Sequence, residues 1–189
     1  IHEELKETNL LSPVEAILFA AKHIKAGVEQ LNKVIKVTCV CNFGNHGRTT
    51  DKTQIQTAAE NSYEWLMYHM LSQSLPDNKF LIADTHYIYL DIGDYRIRFG
   101  HGDMFKSYAS IPRSIAALQL NSPADLTCFG HYHMYQSTSS WVSNGSLIGF
   151  SPYSHANGYH AEIPQQASFL VDKRRGKCLD TPIWVNDRQ

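Results

Sequence analysis

Three short segments of this sequence share one pattern: a phenylalanine, a glycine, then a histidine or an asparagine–histidine pair. They are FGNH at 43–46, FGHG at 99–102 and FGHYH at 129–133. Each glycine lets the backbone turn sharply and approach another group closely. If the three turns meet, they gather Asn45, His46, His101, His131 and His133 at one point. Neutral imidazole nitrogens and an amide carbonyl oxygen are donors for divalent manganese, zinc, iron or nickel. Two histidines one residue apart, as in His131-x-His133, reach two different ions when the backbone turns between them. Two such ions about 3.5–4 Å apart clamp an in-line phosphoryl displacement.

The elements that must position these residues are legible around them. VIKVTCVC at 34–41 is β-branched and apolar, which predicts a strand buried on both faces, delivering polar groups at its C-terminal end. Before it, SPVEAILFAAKHIKAGVEQLN predicts a helix, with Ser12 as cap, Pro13 in the first turn and Glu15 completing a capping box. Ile17, Leu18, Ala21, Ile24, Val28 and Leu31 recur at helical spacing, which predicts a face packed on the core. A second helix is expected over about 54–73, stopped by Pro76. HYIYLDIGDYRIRFGHGD reads as a hairpin turning near Gly93-Asp94, with Arg96 and Arg98 on a solvated face. A short helix near 112–120, a strand in DLTCFGHYH, and strands within 134–150, 166–172 and 178–185 follow. This order predicts a layered α/β/β/α fold, two mixed sheets face to face with flanking helices, in a single domain over 1–189.

Composition narrows the classes. With 43% hydrophobic and 19% charged residues among 189, the chain builds a real core and is not a disordered segment. A net charge of -1 excludes a strongly basic nucleic-acid platform, although Arg48, Lys52, Lys106 and Arg113 could line a groove. No stretch approaches the roughly 18–20 apolar residues of a membrane span, and there is no signal-peptide pattern. Cys39, Cys41, Cys128 and Cys178 show no zinc spacing or paired framework, so free thiols in a reducing, cytoplasmic compartment are expected. His2, His23 and His69 read as helical surface or boundary residues, and His155 and His160 as loop residues that could border a cleft. A cupin-like mononuclear site on His131-x-His133 fits poorly, because Gln136 and Ser137 stand where a glutamate is wanted.

Taken in order, GNHGR at 44–48, GHG at 100–102 and GHYH at 130–133 resemble the last three motif blocks of the calcineurin-like metallophosphoesterases. GNHGR and the late IPQQASFLV at 163–171 are most similar to phage-type members, and the likeness covers most of the chain. The resemblance implies that Asn45, His101 and His131 bind one metal and His133 the other. It implies that His46 stands beside the scissile phosphate as the catalytic residue, and that a hydroxide between the metals attacks phosphorus. The substrate implied is a phosphate ester, a phosphomonoester or a phosphodiester such as nucleic acid, with a nuclease-like activity within reach. Arg48 is a candidate phosphate contact, since a guanidinium suits an oxyanion.

The sequence departs from that family at two places. Gly47 stands where an acidic residue usually follows the catalytic histidine, leaving Asp51 and Asp103 as the nearby carboxylates. The upstream D-x-H and G-D-x-x-D blocks are absent: residues 1–44 contain no aspartate, and IHEELKETN resembles the text that follows the second block. The expectation is therefore a chain without its N-terminal strands, holding at most one metal well and weakly active or inactive, with an exposed sheet edge that favours homo-oligomers. The alternative is a non-catalytic binding or scaffold module that keeps the fold.

Overall fold

The computed structural model describes residues 10–156 and 158–185; the IHEELKETN stretch and His2 lie outside them. The chain is a mixed α/β fold that divides into two compact units, Ile1–Ile88 and Tyr89–Gln189. Among the described residues, no helix is long and apolar enough to cross a membrane.

Among its described residues, the first unit holds two helices and a two-stranded parallel sheet. Helix α1 spans Pro13–Asn32, and its N-terminus is the predicted capping box: Ser12 takes the Glu15 N–H while the Glu15 carboxylate takes the Ser12 N–H at 2.9 Å. Strand β1 is shorter than predicted, Thr38–Cys41. The main-chain N–H groups of Val34 and Ile35 are spent on Leu31 at the end of α1, so they cannot join a ladder. Nor is the run buried on both faces. Val34 and Ile35 are 79% and 57% exposed, and only Cys41 of β1 is fully buried. Helix α2 covers Tyr63–Ser74, starting nine residues later than the predicted 54. The residues ahead of it are held as turns by the loop after β1: Thr49 N–H bonds to Asn61 O, and Arg48 bridges to Ser62, whose hydroxyl caps the helix. Met67 and Leu71 are its buried positions, and strand β2, Lys79–Ile82, pairs with β1 in parallel.

The second unit is built on a five-stranded mixed sheet in the order β3-β4-β5-β7-β6. The strands are β3 Tyr87–Ile92, β4 Tyr95–Gly100, β5 Leu126–Phe129, β6 Gln136–Ser137 and β7 Trp141–Ser143. Gly93 turns β3 into β4 with φ 62°, a left-handed conformation that glycine adopts freely. Strands β4, β5 and β7 run parallel, and helix α3, Ile111–Asn121, connects β4 to β5. A short helix, α4, spans Pro152–Ala156, and β8 Gln165–Asp172 and β9 Gly176–Trp184 form an antiparallel hairpin.

Side-chain alternation decides the layers. Ile97, Leu126 and Val142 point to one face of the sheet and bury against Ala167, Phe169 and Val171 of β8. Phe129 and Trp141 point to the other face and bury against Ile111 and Ile115 of α3 and against Phe105. The unit is thus helix, sheet, hairpin, with sheets face to face as expected; the second sheet is an antiparallel hairpin. Burying each of these large apolar side chains contributes about 1.5–3 kcal/mol.

Arg98 overturns the expectation of a solvated arginine pair. Arg96 is exposed and pairs with Asp91 at 2.9 Å, but Arg98 is fully buried, because its alternation phase puts it under α3. Its guanidinium donates to Thr127 Oγ1 at 3.0 Å, Gln119 Oε1 at 3.3 Å and the main-chain oxygen of Ser122, the C-cap of α3. The negative end of the helix dipole and these oxygens compensate the buried charge. Replacing Arg98 by alanine should therefore cost about 3 kcal/mol or more in urea unfolding, and Arg96→Ala less than about 0.5 kcal/mol.

Candidate functional site

Two of the three glycine–histidine turns come together in the second unit, and strand pairing is the cause. The parallel register sets Phe99 opposite Cys128, so β4 and β5 end side by side. The ladder continues one step past the strands, with Gly130 N–H donating to His101 O at 2.9 Å. Gly102, at φ 113°, lets the chain leave at that point. A β-carbon there would lie 3.0 Å from Gly130 O and 3.2 Å from His131 Cβ. His131 Nδ1 and His101 Nε2 then face each other at 3.3 Å, with ring centroids 5.0 Å apart.

His131 and His133 both hold left-handed backbone conformations, φ 70° and 56°. For residues with a β-carbon this costs on the order of 1–3 kcal/mol each, and such strain concentrates at functional turns. Their effect is to bring two imidazoles out of one short turn. His133 stacks edge-on with Tyr159, ring centroids 5.8 Å apart. Tyr132, between them, is tied down by its hydroxyl to Phe105 O at 2.8 Å.

Burial pushes His131 and His133 below the ordinary imidazole range. For His131 the charge of Asp103 works against that push and His133 adds to it. Imidazoles kept neutral, as those of His131 and His133 are, are suited to a metal, whose ligand nitrogens sit about 2.0–2.1 Å away in the case of zinc. A gap of 3.3 Å between facing nitrogens is one that a single ion can span. The donor set of His101 and His131 therefore fits one ion. Among the described residues, no group of three or more histidine, cysteine, aspartate or glutamate side chains is arranged to hold one. The four cysteines are free thiols, as expected, and burial raises Cys41 and Cys128 to about 12.

Asn45 and His46 lie in the first unit, on the loop that leaves β1. Asn45 is half-buried and His46 is exposed. Arg48 turns back onto this loop: its guanidinium donates to Asn45 O at 2.6 Å, Thr50 O at 3.0 Å and Asp51 O at 3.3 Å. Asp51 thus meets the loop through its main chain. Glu64 was not singled out by the sequence. It accepts the Gly44 N–H and packs against Gly47, while the next main-chain link, Tyr63 N–H to Gly47 O, is 2.9 Å. Its only sequence signal is an acidic residue in the first turn of a helix, which is commonplace. Of the loop histidines, His155 and His160 are exposed, and His155 stacks on Phe150 at 6.2 Å.

The depressed histidines predict an acid-sensitive second unit. The unfolded chain takes up protons near the ordinary value of 6.5, and the native state only below it. Stability should thus be intact above about pH 6.5 and drain as pH falls through the lower native values. Melting temperature followed from about pH 7.5 to about pH 5 should fall, and the double variant His131→Gln, His133→Gln should flatten that slope.

No protein-family model matches the chain, and no curated protein matches it either. Solved structures do. An archaeal phosphodiesterase is similar at 13% identity over 88% of this chain and 76% of its own, with a TM-score of 0.49. Vps29 from Entamoeba histolytica, in complex with zinc, is similar at 15% identity over 62% of this chain and 75% of its own, TM-score 0.42. A predicted phosphoesterase from Streptococcus pneumoniae is similar at 12% identity over 58% of this chain and 72% of its own, TM-score 0.35. At that depth of likeness, function has to be read from this chain's own residues.

Proposed function

We propose that this chain is a metal-dependent phosphoesterase of the calcineurin-like type, acting on a phosphodiester or phosphomonoester. The observation that carries this is the facing pair His101 and His131, at the ends of adjacent parallel strands in the order the motif blocks require. His101 and His131, with Asn45 by motif position, are proposed to hold one divalent ion: manganese, zinc, iron or nickel. His133 is proposed as the protein ligand of a second, more weakly held ion. When bound, such ions polarise phosphoryl oxygens and make water nucleophilic at neutral pH.

The chain's own part in the reaction is proposed as follows. His46, exposed on its loop, steadies charge developing on the phosphate and returns a proton to the leaving oxygen. Arg48 holds the loop through the three carbonyls it serves, and a phosphate contact by Arg48 would compete with them. The likeness to phage-type members, the single-domain organisation and a cytoplasmic setting belong to the same proposal. A second class, a binding module that keeps the fold without catalysis, is favoured by one observation: the Arg48 guanidinium, the candidate phosphate contact, donates to three carbonyls of its own loop.

Calorimetric titration of the full chain with manganese should give a single tight site, lost in His131→Ala. Two tight sites would contradict this ligand count. Hydrolysis of bis-p-nitrophenyl phosphate with manganese, by this chain or a longer protein carrying it, separates the classes. An enzyme should lose about 10²–10⁴-fold in rate with His46→Ala. A binding module takes up metal without hydrolysis.

A further inference from the structure

We propose that Glu64 is the positioning residue of the loop carrying Asn45 and His46, a role that rests on the function proposed above. Glu64 sits in the first turn of α2 and takes the Gly44 main-chain N–H with its carboxylate. A carboxylate on a main-chain N–H is a charge-assisted bond, stronger than a neutral one. At the other end of the same tetrapeptide, a β-carbon on Gly47 would stand 2.8 Å from Glu64 Cγ, 2.9 Å from Cδ and 3.3 Å from Oε1.

Gly47 is therefore a glycine of space and not of conformation. Its φ lies outside the left-handed region, so another residue could adopt its backbone. Any side chain there would have to displace Glu64. The volume beside His46 that a residue at 47 would fill in sequence is filled in space by an acid from a helix 17 residues further on. Tyr63, adjacent to Glu64, donates its N–H to Gly47 O at 2.9 Å, so the first turn of α2 grips both ends of Gly44–Gly47. Asn45 and His46 are the two residues between the grips. The main-chain oxygen of Asn45 is also held by Arg48 at 2.6 Å, so the main chain that carries both residues is fixed from the helix terminus and from within the loop. The carboxylate acts through the loop, and no bond to it forms or breaks.

The test uses the full chain with Glu64→Gln, Glu64→Ala and Gly47→Ala. In metal-free protein, the backbone amide proton of Gly44 should move upfield in Glu64→Gln, and resonances of 44–47, including the Asn45 side-chain amide, should shift in all three. Gly47→Ala should reproduce Glu64→Ala although the glutamate is still present, which a general loss of fold would not do; a single cooperative melt checks that each variant is folded. Manganese affinity should fall about 10–100-fold in Glu64→Ala and Gly47→Ala, and less in Glu64→Gln, which keeps the length and one acceptor oxygen. Unchanged 44–47 resonances in Glu64→Gln, or wild-type manganese affinity in folded Glu64→Ala, would overturn the role of Glu64. If the wild-type chain takes up no manganese, the proposed function fails, and the metal-free resonances still decide the positioning role.

Discussion

The parallel pairing of β4 with β5 is the constraint from which the second unit takes its form. It needs a crossover, and α3 is that crossover; α3 then covers one face of the sheet and leaves the other to the β8–β9 hairpin. The same pairing ends two strands at one level, which is why His101 and His131 meet although 30 residues separate them. The last shared bond, Gly130 N–H to His101 O, belongs to the ladder and to the site at once. Any change that slips this register by one residue would send Ile97 and Leu126 to the wrong face and separate the imidazoles together.

Charged groups in this fold are held by main-chain groups, hydroxyls or an opposite charge. Arg98 sits under the C-cap of α3, where the carbonyl of Ser122 and the amide of Gln119 accept its protons. Glu64 lies in the first turn of α2 and meets a main-chain N–H of the preceding loop. Asp180 accepts from the hydroxyls of Tyr135 and Ser137 and from Lys177, joining β9 to β6, and its carboxyl is held below the ordinary carboxylate range. Burial pushes its value up, and the bonds from Lys177, Ser137 and Tyr135 outweigh that push. For the buried Arg98, oriented dipoles and hydroxyls keep its removal from water tolerable, while Asp180, at the surface, is matched by two hydroxyls and the Lys177 ammonium.

Much of the architecture was legible in the sequence because it is local. The Ser12–Glu15 capping box, the Gly93 turn and the alternation of Tyr95, Ile97 and Phe99 depend on neighbours a few residues apart, and they stand where the pattern puts them. The errors were tertiary overrides. VIKV at 34–37 has strand composition, but the end of α1 takes the N–H groups of Val34 and Ile35 first. The 54–62 stretch is expected to open the second helix, but the loop after β1 claims it as turns. Arg98 alternates with apolar residues like any exposed charge, and only the position of α3 reveals that its face is covered.

For the candidate site, the sequence by itself determined which chemistry is available: imidazoles and a carboxamide placed after glycines at strand ends, in a fixed order along the chain. That much follows because donor type and turn-forming residues are properties of the residues themselves. Only the tertiary structure decided that His101 and His131 face one another, that Arg48 spends its donors on its own loop, and that Glu64 occupies the space beside Gly47. Those are contacts between segments far apart in the chain. Their distances are set by strand register and helix placement, which no local pattern of residues specifies.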